Sequence, residues 1–474
     1  MAVTRVHGAG SGLRRTVIAG TVLILTATTA TVTPAPATPP VQPELMVAGV
    51  AQDPCQPLRV LPVPVQLAGH FEPDSSILRT VGGVYAAPGR PTRLTRPESA
   101  CVSAAERADH DWLWAGLVPG AGQRPMAVRA LLDLRLAVQP DGAVLGGWHP
   151  GWEYSWPRDS SWVAVALADT GHPAMAYRIL RFLQRMQGGD GTWAARYLPG
   201  GSGPVRDGRP AELDADGWVP WAVWSWAVAR RMTPGGQPGR ELALLWPMVI
   251  RAADTAARSL TRDGLPGPAM DYWEDPGQVT LGTAAPLLAG LRAAASVAAD
   301  MGGPAASSDR RRWAAAAARL ARAITATFGR TGYQRTPAPG SGADAAITFL
   351  GPPFAAADPQ LLEAASSAQG ALTLPGGGLR PGTRWPGTPG VAWTAETAFF
   401  ALFDAATGQH DRAATLLAWL AAHRTRLGSL PEKVNSGGQP AAVAPLPWTD
   451  AATLLALLAQ AGQLPTIPAP TGPG

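Results

Sequence analysis

Apolar and polar positions divide the 474 residues into a short N-terminal part and a long helical part. From about residue 42 to residue 98 the chain is rich in proline, valine and glycine. Apolar residues alternate there over short pieces such as 58–67 and 77–85, which predicts an extended or small β-containing appendage. From about residue 103 apolar positions recur at helical spacing, with glycine or proline at the breaks. This pattern predicts helices near residues 103–117, 124–138, 160–170, 173–187, 217–232, 240–259, 279–300, 308–327, 357–369, 393–406, 409–425 and 448–462.

Several helix ends have local causes in the sequence. We expect Ser160 and Ser161 to cap one helix, Gly171 to end it, and Pro173 to open the next at a position where its missing N–H is harmless. The helices therefore come in hairpins, in which short connections alternate with long ones that carry polar and aromatic residues.

The long connections recur along the helical part at steps of 40 to 70 residues. Their landmark side chains are Asp159, Asp216, Glu274, Asp344, Arg384 and Glu432. Six repeats of about one helical hairpin predict a closed ring, with inner helices around the axis and the long connections on one rim. In such a ring the six landmarks would face a common funnel. The alternative is an open α-solenoid with six unrelated loops.

Composition narrows the classes of partner. The net charge of +5 comes mainly from arginines that are spread along the chain. No stretch of the sequence is a run of basic residues that could follow a phosphate backbone, so we expect no nucleic-acid partner. The chain has 18 tryptophans against 6 tyrosines and 8 phenylalanines. Tryptophan faces pack well against sugars, although many of these residues would simply pack helices together.

The N-terminus has the form of an export signal. Arg14 and Arg15 precede an apolar, uncharged run at 16–32 and a Pro/Ala/Thr-rich stretch at 33–43. The segment is either a cleaved signal peptide or a retained anchor that would attach the protein to the outer face of the membrane. An exported protein permits a disulfide between Cys55 and Cys101, and two cysteines without a histidine cluster provide no zinc site, so we expect no metal and no cofactor.

The stretch 148–159, with sequence WHPGWEYSWPRD, concentrates groups that bind sugars. Flat aromatic faces cover the C–H faces of a pyranose, while an arginine and a carboxylate hydrogen-bond its hydroxyls. The alternative is a buried aromatic cluster with a structural ion pair between Arg158 and Asp159.

Two glutamates on different long connections have surroundings of opposite character. Glu274 lies between the rings of Tyr272 and Trp273 and the carboxylate of Asp275; both desolvation and a like charge raise a carboxyl pKa, as a proton donor requires. Glu432 is followed by Lys433, which favours an ionised base. Such a pair on one rim is what glycoside hydrolysis needs. The alternatives are a helix N-terminal acid for Glu274 and a solvated surface pair for Glu432.

Ordered motifs between about residues 129 and 457 resemble those of family 15 of the glycoside hydrolases, which contains glucoamylases, glucodextranases and some trehalases. The motifs are Tyr154-Ser-Trp-Pro-Arg-Asp159, Arg196-Tyr197, Glu212-Leu-Asp-Ala-Asp-Gly-Trp218, Asp271-Tyr-Trp-Glu274, Arg384-Trp-Pro386 with Trp393, Leu430-Pro-Glu432 and Pro445-Leu-Pro-Trp448. The resemblance implies an all-α (α/α)6 barrel and an inverting mechanism, with Glu274 as general acid and Glu432 as general base.

The resemblance also implies the sugar-binding residues. Those expected to bind the sugar are Trp152, Tyr154, Trp156, Arg158, Asp159, Trp273, Arg384 and Trp448, and those expected to support them are Arg196, Asp214, Asp216 and Asp344. Two positions depart from the family pattern, because Trp152 replaces a common tyrosine and Gly387 a common acid. The Gly/Pro-rich loops at 199–210 and 374–389 are where specificity for another glycoside would arise.

The expected organisation is a signal or anchor with its linker at 1–43, an appendage at 44–102, a catalytic barrel at 103–463 and a flexible tail at 464–474. We expect a monomer that removes single sugar units, most simply glucose, from the non-reducing ends of oligosaccharides or polysaccharides. The alternatives are a trehalase-type member and a non-catalytic carbohydrate-binding envelope protein on the same fold.

Overall fold

The computed structural model describes residues 41–52, 59–80, 83–84, 96–233, 235–275 and 277–469. Within these residues the α-helices are α1 (Arg96–Trp114), α2 (Arg124–Ala137), α3 (Pro157–Asp169), α4 (Pro173–Met186), α5 (Ala215–Met232), α6 (Gly239–Arg258), α7 (Leu281–Met301), α8 (Gly303–Thr327), α9 (Pro359–Leu372), α10 (Thr394–Ala406), α11 (His410–Ala422) and α12 (Pro447–Gln460). The strands in the same residues are β1 (Leu45–Val47), β2 (Gly49–Ala51), β3 (Arg59–Leu61), β4 (Gly69–Phe71), β5 (Leu78–Thr80), β6 (Gly83–Val84), β7 (Ala392–Trp393), β8 (Lys433–Val434) and β9 (Pro440–Val443).

The helices form a closed double ring. The inner ring consists of α3, α5, α7, the 3₁₀ helix Ala345–Leu350, α10 and α12, and it closes because α12 packs against α3. Outside it, α4 packs on α3, α6 on α5, α8 on α7, α9 on the 3₁₀ helix, α11 on α10 and α2 on α12. The predicted (α/α)6 barrel is therefore confirmed, and the open solenoid is wrong.

One helix that the sequence pattern placed in the ring lies outside it. The predicted helix at 103–117 exists as part of α1, but α1 precedes the ring and packs on α2. The missing inner element is the 3₁₀ helix Ala345–Leu350, which the periodicity did not predict because six residues are too few to show a helical repeat. The ring therefore has twelve elements, as predicted, and eleven of them are α-helices while the twelfth is this 3₁₀ helix.

The inner helices are buried on nearly all sides, which explains their continuous apolar sequences. In the centre of the ring, Trp162, Trp218 and Trp221 pack edge to face with centroids 5.2 to 5.5 Å apart, so these tryptophans serve packing. Helices α5 and α7 approach closely at Gly217 and Gly290, where a Cβ on Gly290 would lie 2.4 Å from the Gly217 Cα. Among the described residues only α7 is long and apolar enough to cross a membrane, and 89% of its apolar window is buried in the barrel.

Because outer and inner elements alternate along the chain, the inner elements run in one direction and begin at the same end of the ring. Asp159 lies in the first turn of α3, and the N-terminus of the 3₁₀ helix is capped by Asp344, which accepts a 2.8 Å hydrogen bond from the Ala346 N–H. The cap predicted for α3 is wrong: the helix begins at Pro157, so Ser160 lies inside it.

The predicted break between α3 and α4 is confirmed. Gly171 has a φ of +88°, a conformation that glycine adopts without strain, and Pro173 is the first residue of α4.

The N-terminal appendage is built into the barrel. Strand β1 pairs in parallel with β9, which extends the antiparallel strands β9, β8 and β7 into a sheet of order β1-β9-β8-β7. Buried Asp109 on α1 accepts hydrogen bonds from the N–H and hydroxyl groups of the turn at Ser75 and Ser76, at 2.8 and 3.2 Å. Cys101 on α1 is disulfide-bonded, whereas Cys55 lies outside the described residues, so the pairing of the two stays a prediction.

Candidate active site

A cavity of about 380 Å³ opens where the long connections meet the starts of the inner helices. Its lining residues are Gly146, Gly151, Trp152, Trp156, Arg158, Asp159, Arg196, Arg209, Tyr272, Trp273, Glu274, Pro381, Trp385, Trp393, Ala395, Glu396, Glu432, Leu446 and Trp448. The cavity thus brings together both predicted catalytic glutamates and all predicted sugar-binding residues except Tyr154 and Arg384.

Arg158 is the buried cation of the cavity. Its guanidinium pairs with Glu212, lies 3.4 Å from both Asp214 and Asp159, and sits 4.7 Å from the centre of the Trp448 ring. Burial acts to lower the pKa of Arg158, but the surrounding carboxylates outweigh it and the net shift is upward. Burial also raises the pKa of Asp159 to about 6, against the opposing effect of Arg158. Arg158 and Asp159 thus form the ion pair of the structural alternative, and both also line the cavity.

Glu212 was part of the recognised motifs but not of the predicted site. Burial raises its pKa to about 8 although it pairs directly with Arg158. The cluster therefore holds several acidic groups around a single guanidinium. Since an uncompensated buried charge is costly, these groups do not all ionise together near neutral pH.

Glu432 is held at the edge of the small sheet that β1 completes. Its N–H donates to the Val443 carbonyl at 2.8 Å, and its own carbonyl accepts from the Thr394 N–H at 3.1 Å. The side chain is 10% exposed, with Oε1 at 3.5 Å from the Lys433 ammonium. Burial raises the pKa of Glu432, while Lys433 and a hydrogen bond from Trp152 act in the opposite direction. Lys433 favours ionisation as expected, but burial outweighs it.

Glu274 has different surroundings from those that the sequence indicated. Its backbone is in the left-handed region, with φ of +57°, and its N–H donates to the Asp271 carbonyl at 2.8 Å. The side chain is 45% exposed and forms an ion pair with Arg209. The expected desolvation between aromatic rings and Asp275 is wrong, because the Asp275 carboxylate turns away to within 3.7 Å of Arg335.

Arg335 is a functional candidate that sequence reasoning missed. Its guanidinium lies 2.9 Å from Asp271 and 3.0 Å from Asp344, and it covers the Trp273 ring at 3.7 Å from the centroid. The hydroxyl of Tyr272 donates to the other oxygen of Asp344 at 2.6 Å. Arg335 therefore fixes the turn that carries Glu274 from behind the cavity wall.

Tryptophans form one aromatic wall of the cavity. Trp273 meets Trp385 edge-on at 4.9 Å between ring centroids, and Trp385 meets Trp393 edge-on at 5.2 Å. The Lys433 ammonium lies 4.2 Å above the Trp393 ring. Trp385 and Trp393 belong to the recognised motifs, so their position in the sequence was a usable signal, although neither was predicted to bind the sugar.

Glu396 adds a third glutamate to the cavity. It lies in the first turn of α10, is 3% exposed, and its Oε2 has no hydrogen-bond partner among the described residues. Burial raises the pKa of Glu396 to about 8, and Asp344 and Glu432 add to the rise. An isolated acid at the start of an apolar helix, three residues after Trp393, is a signal that could have identified it.

The remaining predicted residues lie around the cavity or away from it. Arg196 lines the cavity and covers the Tyr154 ring at 4.2 Å, so Tyr154 supports the site from outside. Arg384 donates to the Gly340 carbonyl at 3.3 Å and does not line the cavity, so its role in sugar binding stays a prediction. Asp216 is buried beside a separate cavity of about 340 Å³, and burial raises its pKa well above the usual range.

The prediction that all six landmarks face one funnel is therefore wrong for Asp216, Asp344 and Arg384. Asp214 and Asp344 contact cavity-lining residues from behind, at Arg158 and Tyr272. In the part of the chain that the structure describes, no group of three or more His, Cys, Asp and Glu side chains could hold a metal ion.

The known proteins that this chain resembles are glycoside hydrolases. The chain is 27% identical over 174 residues to an uncharacterised glycosyl hydrolase, MJ1610, of Methanocaldococcus jannaschii. That match covers 36% of this chain and spans about a quarter of the relative, 26% of its length. No family model matches the chain.

Solved structures with a similar fold include glycosidases. One, described as a wild-type glycosidase, has a TM-score of 0.60 at 19% identity, over 75% of this chain and 99% of its own. A bacterial glucoamylase in complex with acarbose has a TM-score of 0.60 at 15% identity, over 77% of this chain and 60% of its own. The fold is therefore that of the glucoamylase-type glycoside hydrolases. The resemblance indicated by the sequence motifs is confirmed.

Proposed function

We propose that this protein is an exported, inverting glycoside hydrolase that removes single α-glucosyl units from the non-reducing ends of its substrates. One observation carries the proposal: Glu274 and Glu432, from two separate connections, line the same cavity as Arg158, Asp159 and a set of tryptophans. A fold alone does not determine function, so this convergence of side chains is the deciding feature.

In the proposed reaction Glu274 gives its proton to the glycosidic oxygen as the bond from that oxygen to the anomeric carbon breaks. Glu432 removes a proton from a water molecule as the water oxygen bonds to the opposite face of the anomeric carbon. The sugar gains a hydroxyl, the leaving group gains a hydrogen, and the two glutamates exchange protonation states. Proton exchange with solvent restores them.

The raised pKa of Glu432 suits a general base, because proton transfer is most effective when the pKa of the group approaches the working pH. Arg158 and Asp159 would hydrogen-bond the hydroxyls of the terminal sugar, and Trp448 and Trp156 would cover its apolar faces. The cavity of about 380 Å³ lies at the small end of the range for ligand pockets, roughly 300 to 1,000 Å³, which favours attack on chain ends.

The choice of an α-glucosyl unit draws support from the structural likeness to a glucoamylase that binds acarbose. Export draws support from the apolar run at 16–32 and its flanking arginines, which lie outside the described residues.

The test is to incubate the purified protein with maltose, isomaltose, trehalose and short dextrins, and to follow the released sugar by proton NMR. We expect glucose release, with the glucosyl unit cleaved from the dextrins appearing first as the β-anomer, before mutarotation. The dextrins decide the stereochemistry because their leaving group is a longer sugar and not glucose, and α-glucose as their first product would contradict inversion. Release from trehalose alone would identify the trehalase-type alternative, and binding without release would identify the non-catalytic one.

A further inference from the structure

A chain of ion pairs crosses from the wall of the cavity to Glu274. Arg196, which covers the Tyr154 ring at 4.2 Å, pairs with Asp207. Asp207 lies 3.2 Å from Arg209, and Arg209 pairs with Glu274. Asp207 and Arg209 belong to the Gly/Pro-rich loop at 199–210, so this loop supplies a cation directly to the predicted general acid.

The position of Arg209 raises a difficulty for the proposed reaction. The leaving group must sit against Glu274, and Arg209 lines the cavity at that point with a side chain that is 31% exposed. In the structure, two arginines and two carboxylates balance. Once Glu274 takes up the proton that it must donate, Arg196 and Arg209 face only Asp207, and the group carries one uncompensated positive charge.

Among the described residues that line the opposite side of the cavity, Arg158 is the only cation, and carboxylates already surround it. The carboxyl groups of Glu432, Glu396 and Asp159 line the same part, where the terminal sugar would bind, and offer no positive charge to an anion. A negative charge on the substrate is therefore compatible only with the leaving-group side, next to Arg209.

We propose that Arg209 determines specificity by binding an anionic group on the leaving group, so that the preferred substrates are glycosides whose aglycone or next sugar carries a carboxylate or a similar anion. This inference rests on the proposed function. Such a substrate replaces Glu274 as the partner of Arg209, and Glu274 is then free to hold its proton against the glycosidic oxygen.

The experiment compares two pairs of aryl glycosides, the 3- and 4-carboxyphenyl α-glucosides and the corresponding carboxamides. Within a pair the leaving groups have nearly the same shape and differ in charge. Values of kcat/KM are measured for the wild-type protein, Arg209→Gln, Arg209→Lys and Arg206→Gln. Arg206 lies on the same loop and is exposed, and it does not line the cavity, so its replacement removes the same charge as a control.

For at least one pair we expect the wild-type protein to prefer the carboxylate by at least about tenfold, the magnitude of a hydrogen bond to a charged group. Arg209→Gln should abolish the preference and keep hydrolysing the carboxamide. Arg206→Gln should behave as the wild type, and Arg209→Lys should retain part of the preference. Because Arg209 is partly exposed, the preference of the wild-type protein for the carboxylate over the carboxamide should also weaken with added salt.

Two results would overturn the inference: equal kcat/KM values within both pairs for the wild type, or a preference that survives in Arg209→Gln. Failure of the wild type to hydrolyse these glycosides and every sugar of the NMR test would instead contradict the proposed function.

Discussion

The hydroxyl of Tyr272 donates a 2.6 Å hydrogen bond to Asp344, which joins the third long connection to the fourth behind the cavity. Asp344 is fully buried and caps the 3₁₀ helix Ala345–Leu350, while Tyr272 lines the cavity two residues before Glu274. One short contact thus fixes both an inner element of the ring and the turn that carries the predicted acid.

Replacing Tyr272 with Phe should destabilise the protein by about 1 to 3 kcal/mol, because Asp344 loses a donor in a buried environment. Thermal unfolding followed by circular dichroism would measure the change. Tyr177→Phe is the control, since among the described residues the Tyr177 hydroxyl accepts only a long 3.4 Å contact from Arg181 on the barrel exterior. Equal unfolding temperatures for the two variants would contradict the prediction.

Replacing Glu274 or Glu432 with Gln should preserve folding and lower kcat by roughly 10² to 10⁴-fold, because the amide can neither donate nor accept the required proton. Glucose release from the substrate found by NMR would measure the loss. Glu153→Gln removes an exposed carboxyl group close to Trp152 and should leave kcat unchanged. Either site variant retaining more than about a tenth of the activity would exclude its assigned role.

The barrel could be predicted from the sequence because the same pattern of apolar positions and breaks recurs in each helical hairpin. Each inner helix is apolar on nearly all sides and each outer helix on one face, and glycine or proline marks the breaks. The element that escaped prediction, the 3₁₀ helix Ala345–Leu350, lies between irregular segments and has no repeat to detect. Helix α1 took its place in the predicted count because an amphipathic pattern does not show which neighbour a helix packs against.

The candidate site was predictable as a set of residue types but not in its detailed contacts. Arg384 and Arg335 are both arginines on long connections, and only the folded chain shows that Arg335 turns towards Trp273 and Asp271. Likewise, the residues next to Glu274 predicted an apolar environment, whereas its partner Arg209 is 65 residues away in sequence. Local composition does not encode such contacts.

Glu396 should make folding stability depend on pH. Its pKa is about 8 in the folded protein against an ordinary value of 4.5, so between these values the folded state binds more protons than the unfolded state. Stability contributed by this group is fully present below about pH 4.5 and is lost as the pH rises through 8. Glu396→Gln carries no proton to lose, so its unfolding temperature relative to the wild type should rise between about pH 4.5 and 8 and then level off. Glu153→Gln should show no such trend, and a constant difference between Glu396→Gln and the wild type would contradict the prediction.

Strand β1 should support catalysis from outside the helical barrel. The Ala442 N–H donates to the carbonyl of Glu44, just before β1, at 2.8 Å, and the N–H of Ala444, just after β9, donates to the Val47 carbonyl at 3.0 Å. In turn, the Val443 carbonyl of β9 accepts the N–H of Glu432. A protein that begins at Ala48 lacks β1, so the sheet that positions Glu432 gains a free edge, and small displacements of a catalytic group are costly.

We therefore expect a protein that begins at Ala48 to unfold at a lower temperature and to lose between about tenfold and 10²-fold in kcat. A protein that begins at Val41 keeps the strand and serves as the matched control. Because the lost strand acts on Glu432 and not on the residues that hold the sugar, kcat should fall more than KM rises. If the two shortened proteins have the same kcat, β1 only stabilises the fold and does not position the base.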